Sequence, residues 1–149
     1  MKILVGYDGS NASQKALILA KQHAATWQGK IEVVQAIARK APLSYDQIEK
    51  AEKQLAQQMR SILAGNRIKF ETTLLVGAKD PGEQIVNFAE TIHADEIIIG
   101  TRKRSKIGKF VLGSTTQVVV LNAPCPVILV KCEETRQKKT LRIGSTKLA

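Results

Sequence analysis

The sequence predicts an α/β protein, a parallel sheet covered by helices on both faces. Three observations predict it. Short apolar runs alternate with longer stretches of helical periodicity in the order β-α-β-α-β-α-β-α-β, and such alternation builds a parallel sheet whose strands are joined by crossover helices. Apolar residues make up 44% of the chain and aromatic ones 4%, a core built on Val, Ile, Leu and Ala. The length, 149 residues, suits one domain with a substantial core.

The first strand is the apolar run Lys2–Tyr7. A helix follows from Ser10 to Trp27, with Ala12, Ala16, Ala20 and Ala24 on one small-residue stripe that permits close packing on a sheet, and Gly29 is expected to end it. Ile31–Ile37 reads as the second strand and Arg39–Leu43 as a polar loop. The second helix runs from Ser44, its candidate cap, to about Leu63, with Ile48, Leu55, Met59 and Ile62 inward. Lys69–Val76 is the third strand. Asp80-Pro81 caps a third helix that reaches about Ile92 and buries Ile85, Phe88 and Ala89. Glu96–Gly100 is the fourth strand, Ser114–Leu121 the fourth helix and Val127–Lys131 the fifth strand.

The net charge of +10 is unevenly spread. Arg102, Lys103, Arg104, Lys106 and Lys109 crowd one connection with no acid among them. A tail over 133–149 carries Arg136, Lys138, Lys139, Arg142 and Lys147 against Glu133 and Glu134. That distribution marks a local anion site and a basic tail rather than a uniformly basic surface for nucleic acid. No helix-turn-helix, RNA-recognition motif or aromatic stacking platform accompanies it, so specific nucleic-acid binding is not expected. The domain is expected over 1–132, with 133–149 a flexible tail.

No apolar run reaches the roughly 20 residues of a membrane helix, and the N-terminus turns polar too soon for a signal peptide, so the expected location is the cytoplasm. The sequon Asn11-Ala12-Ser13 is discounted on the same ground. Cys125 and Cys132 lie too far apart along a strand for a disulfide and show no metal-ligand spacing. His23 and His93 have no partner spacing for a metal site or catalytic dyad.

Chemistry concentrates between Gly100 and Thr115. Gly100 and Gly113 flank the cationic loop between the fourth strand and fourth helix, and Ser114-Thr115 open that helix. Glycines admit backbone to an anion, and a helix start offers free N–H groups. Ligands of such sheets bind beyond the C-terminal strand ends, where the strand order reverses. The first strand also ends there, at Gly6-Tyr7-Asp8.

These residues resemble the universal stress protein family. The resemblance rests on Asp8-Gly9-Ser10 with Ser13 after the first strand, on Gly100-x-x-Lys103-x9-Gly113-Ser114, and on the closing Asn122-Ala123-Pro124-Cys125-Pro126-Val127-Ile128-Leu129-Val130. It implies a single-domain, open five-stranded parallel sheet of order 3-2-1-4-5 with two helices on each face, a Rossmann-like fold. It also implies ATP, or another adenine nucleotide, with Mg²⁺ arriving alongside. The motif of ATP-binding members is Gly-x-x-Gly-x9-Gly-Ser/Thr, and Lys103 stands here where the second glycine usually does. Lysine does not freely take positive φ, but it keeps the backbone N–H and adds a cation.

The resemblance turns Asp8 toward the ribose or the metal-bound phosphates, while capping of the first helix also fits an Asp there, a cap that Ser10 could provide equally well. Gly6 and Tyr7 would line the same strand end. Ala36 and Ile37 would meet the adenine with side chain and backbone, or be ordinary core, and Ile99 is similar. Gly100, Arg102, Lys103, Gly113, Ser114 and Thr115 would hold phosphates, against simple capping for Ser114 and Thr115 and a solvated loop for the cations. Lys106, Gly108 and Lys109 lie mid-loop.

No Walker A sequence is present and no base other than Asp8 offers itself, so ATP hydrolysis is expected to be slow at most. A lone acid at the end of the first strand does not assemble a receiver-domain pocket. The implied function is a nucleotide-dependent stress-response regulator. The alternative is a dimeric regulator that acts through protein partners without nucleotide. A homodimer is implied through the last strand, Val127, Ile128, Leu129 and Val130, whose apolar edge a second copy would cover.

Overall fold

The computed structural model describes residues 1–65, 67–102 and 111–132, with only the backbone of Arg102. The described elements are β1 (Lys2–Gly6), α1 (Asn11–Trp27), β2 (Lys30–Ala38), α2 (Tyr45–Leu63), β3 (Lys69–Gly77), α3 (Pro81–Ile92), β4 (Glu96–Arg102), α4 (Ser114–Asn122) and β5 (Val127–Cys132). The strands form one parallel sheet in the order β3-β2-β1-β4-β5. The alternation and the implied strand order both hold.

Strand alternation sorts the apolar side chains between two faces. Ile3, Val5, Ile31, Val33 and Ile98 join Ala16, Leu17, Ala20 and Ala24 of α1 and Leu55, Met59 and Leu63 of α2 in one core. Leu4, Val34, Ile97 and Ile99 join Ile85, Val86 and Ala89 of α3 and Val119 of α4 in the other. The alanine stripe of α1 is fully buried, as its spacing predicts. Phe88 and Ile62 are only partly buried and pack at the margins of the two cores.

Local side-chain chemistry starts α1, α2 and α3. The Ser10 side chain accepts from the Ser13 amide, and the Asp80 side chain accepts from the Gly82 amide with Pro81 in the first turn. Ser44 and Gln47 form a reciprocal capping box at α2. The end of α1 differs from expectation. The left-handed residue is Gln28, at φ 49°, not Gly29. Gly29 is needed for close approach instead, because a Cβ there would lie 3.2 Å from the Met1 carbonyl oxygen and 3.3 Å from Ile3 Cδ1.

Polar ties stitch the N-terminal edge of the sheet. Glu32 and Glu71 are register neighbours on β2 and β3, and Lys30 Nζ bridges the two carboxylates at 2.8 and 2.7 Å. Those two carboxylates hold the Lys30 ammonium above its ordinary pKa. His23 Nδ1 lies 2.6 Å from Glu96 Oε1, joining α1 to β4, and its ring meets Trp27 edge-on at 4.7 Å. This His–Glu pair spans elements far apart in sequence, which is why no local spacing announced it. Both cysteines are free thiols. Burial, and then the nearby Asp95 and Glu96 carboxylates, push the Cys125 thiol above its ordinary pKa, so it stays protonated at neutral pH.

Candidate functional site

The order β3-β2-β1-β4-β5 reverses direction at β1. From β1 the chain passes over one face through α1 to β2, while β4 is reached over the other face through α3. The C-terminal ends of β1 and β4 therefore diverge into a crevice, the place where open α/β sheets take ligands. A cavity of about 270 Å³ lies there, and its lining comes from all three converging layers.

From β1 and the turn after it come Gly6, Tyr7 and Asp8. Gly9 makes that turn at φ +80°, a conformation glycine adopts without strain. Asp8 does not cap α1. Its Oδ1 accepts from the Ser10 amide at 2.9 Å, which orders the turn, and Ser10 is the cap. Asp8 is the one charged side chain among the described lining residues.

Toward β2 and α3 the wall is apolar, formed by Val34 and Ala36 with Pro81 and Ile85, and by Ile99 of β4. Ile37 is not part of it. Alternation turns its side chain to the opposite face from Ala36, and its carbonyl accepts from Gln84 Nε2 at 3.2 Å. Of the two residues at the end of β2 singled out from sequence, Ala36 lines the cavity and Ile37 does not.

Toward α1 and α4 the wall is polar. Ser10 and Ser13 of α1 contribute, with Gly100, Gly113, Ser114, Thr115 and Thr116. The Ser10 and Ser13 oxygens are engaged with each other and with the first-turn backbone of α1. The start of α4 is different. Its N-cap is Gly113, which has no side chain to cap with. The first-turn amides of an α-helix have no intrahelical partner, and among the described residues no side chain caps these, so this N-terminus presents donors and the positive end of its dipole to the cavity.

The two motif glycines serve different purposes. A Cβ on Gly100 would fall 2.4 Å from the carbonyl carbon of Ala12 and 2.6 Å from the Ser13 nitrogen, so Gly100 lets α1 press against β4. A Cβ on Gly113 would meet nothing within 4 Å, and its φ of −65° suits any residue. Among the described residues no atom explains a glycine at 113, and Gly113 lines the cavity.

Of the residues singled out from sequence, Gly6, Tyr7, Asp8, Ala36, Ile99, Gly100, Gly113, Ser114 and Thr115 line this cavity. Arg102 ends β4, and its side chain lies outside what the structure describes. Lys103, Lys106, Gly108 and Lys109, and the tail 133–149, lie outside the described residues. Ser10, Ser13, Val34, Pro81, Ile85 and Thr116 were not anticipated as lining. Val34 and Ile85 were legible only as core, and Pro81 only as a helix start. Among the described residues no group of three or more His, Cys, Asp and Glu gathers in a way that could hold a metal ion, and no helix is long and apolar enough to cross a membrane.

The comparisons agree with this geometry. The model of the universal stress protein family matches residues 1–131. A universal stress protein of Thermus aquaticus is 35% identical over 138 residues, covering 87% of this chain and 97% of that relative. The structure of a universal stress protein from Archaeoglobus fulgidus superposes with a TM-score of 0.75 at 33% identity, over 88% of this chain and 98% of the other. A structure from the same organism in complex with dAMP superposes with a TM-score of 0.69 at 29% identity, over 88% and 98%.

Proposed function

Because the chain belongs to the universal stress protein family, we propose that it is an adenine-nucleotide-binding stress-response regulator, with ATP its ligand and hydrolysis slow at most. One observation carries this reading. The uncapped N-terminus of α4 faces the switch-point cavity, and the missing Cβ of Gly113 leaves room for an anion against it. The dAMP complex of an Archaeoglobus fulgidus relative supports the choice of an adenine nucleotide. In this reading the base rests against Val34, Ala36, Pro81 and Ile85. The phosphates meet the amides and hydroxyls of Ser114, Thr115 and Thr116, with Lys103 and its neighbours adding positive charge from the loop. Asp8 takes ribose hydroxyls or Mg²⁺ carried in by the phosphates; it is the carboxylate the described lining offers.

The test is calorimetric titration of nucleotide-free protein with AMP and with ATP, with and without Mg²⁺. Micromolar binding is expected, with Asp8→Ala weakening it about tenfold or more and reducing the gain from Mg²⁺. No binding by a folded, nucleotide-free protein would reject the reading and leave a partner-binding regulator without nucleotide, with Lys103 closing the cradle.

A homodimer through β5 belongs to the same proposal. β5 is an edge strand, and Val127, Ile128, Leu129 and Val130 are each only partly buried. An apolar edge with open backbone groups is a liability that a second copy removes. Sedimentation at micromolar concentration should return a dimer, and Ile128→Lys, or the same change at Val130, should return a monomer. A monomer in the unsubstituted protein would reject the interface.

A further inference from the structure

Gly82 is the second residue of α3, between Pro81 and Ile85, both of which line the cavity. Glycine is a poor helix former, and its φ here is not one that only glycine adopts. Its surroundings explain it. A Cβ on Gly82 would fall 2.7 Å from Val118 Cβ, 2.8 Å from the Thr115 carbonyl oxygen and 3.0 Å from Asp80 Oδ1. Two of those atoms belong to the backbone frame of α4, since a Cβ moves only with its helix. At this point α3 and α4 therefore touch almost backbone to backbone.

The contact joins the two halves of the proposed site. α3 carries Pro81 and Ile85 of the apolar wall, and α4 carries Ser114, Thr115 and Thr116 of the polar wall. Thr115, whose carbonyl Gly82 abuts, lies in the very turn that presents the free amides. We propose that Gly82 is a positioning residue for the phosphate end of the cavity, fixing the first turn of α4 against α3 so that its donors stand at the right distance from a base held on α3. The proposal rests on the adenine-nucleotide reading above and adds a residue that touches no ligand.

The magnitude follows from contact distances. Carbon atoms rest about 3.5–4.0 Å apart, so a methyl group on Gly82 must push α4 outward by roughly 1 Å. N–H···O hydrogen bonds occupy only about 2.7–3.2 Å, so a displacement of that size costs the phosphate its best donors. The apolar wall on α3 would stay in place.

The experiment compares adenosine with AMP, by NMR titration of the unsubstituted chain and of Gly82→Ala. The quantity read is the phosphate increment, the ratio of the two affinities. Gly82→Ala should bind adenosine within about twofold of the unsubstituted chain while losing about tenfold or more of the increment. A general loss of stability would weaken both ligands alike, and that result overturns the proposal, as does a folded Gly82→Ala with its increment intact. Should Gly82→Ala not fold, Gly82→Ala/Val118→Gly removes the 2.7 Å conflict and leaves the one with the Thr115 carbonyl. That double variant should fold with an increment still below that of the unsubstituted chain, and a full increment there overturns the proposal. If the unsubstituted chain binds neither ligand, the nucleotide reading itself fails and this inference falls with it.

Discussion

Gly100→Ala should destabilise the protein by about 3 kcal/mol or more, or prevent folding, although it adds a single carbon. Overpacking a core by a methyl group ordinarily costs about 1–3 kcal/mol, because a neighbouring side chain can change rotamer. Here no side chain stands in the way. The added Cβ would lie 2.4 Å from the carbonyl carbon of Ala12, 2.5 Å from its oxygen and 2.6 Å from the Ser13 nitrogen. Relief requires the first turn of α1 to lift off β4 by more than 1 Å. That turn is held by the Ser10 cap, and the helix behind it by Ala16, Leu17, Ala20 and Ala24 in the core. A domain of this size has about 5–15 kcal/mol to lose, and urea slopes run about 1–3 kcal/mol per molar, so the midpoint should fall by at least about 1 M. Gly6→Ala is the control. Its Cβ would sit 3.5 Å from Ile85 and Ile99 side-chain atoms, ordinary contact, and its midpoint should barely move. An unchanged midpoint for Gly100→Ala would mean that α1 yields freely and that packing does not explain the first motif glycine.

The contrast between these glycines shows what the sequence could and could not convey. Periodicity is a local signal, and it located every described helix and strand to within a residue or two. Caps are local too, which is why Ser10, Ser44 and Asp80-Pro81 were readable. Strand order is not local. It came from the family resemblance, and only that order places Asp8, Ala36 and Gly113 around one crevice. Residues whose placement depends on a distant partner were the ones the sequence conveyed least. Ile37 and Ala36 looked equivalent at the end of one strand, until the sheet assigned them to opposite faces. Gly29 looked like a helix terminator, but Gln28 takes the left-handed position and Gly29 admits Met1 and Ile3. Gly82 carried no signal at all, since nothing in its neighbourhood along the chain mentions α4. Gly100 and Gly113 belong to one motif, yet one is required by an adjacent helix and the other faces open space.

That open space yields the sharpest expected result, a dissociation of stability from binding at Gly113. Gly113→Val should weaken AMP and ATP binding by about 100-fold or more. Its branched side chain would fill the volume in front of the Ser114, Thr115 and Thr116 amides, where an anion must come within about 3 Å. The fold should tolerate it. Among the described residues no atom lies within 4 Å of the added Cβ, and the backbone is extended rather than left-handed. The expected stability loss is about 1 kcal/mol, the difference between a neutral and a poor N-cap residue. Gly113→Ser goes further. A serine at an N-cap accepts from the amide of the second or third helical residue, here Thr115 or Thr116, and is a slightly better cap than glycine by a few tenths of a kcal/mol. It should therefore leave the urea midpoint equal or higher while lowering nucleotide affinity, because the hydroxyl takes donors the phosphate needs. Unfolding cannot imitate that pair of signs. If Gly113→Ser and Gly113→Val both bind as the unsubstituted chain does, the α4 N-terminus is not where the phosphates rest.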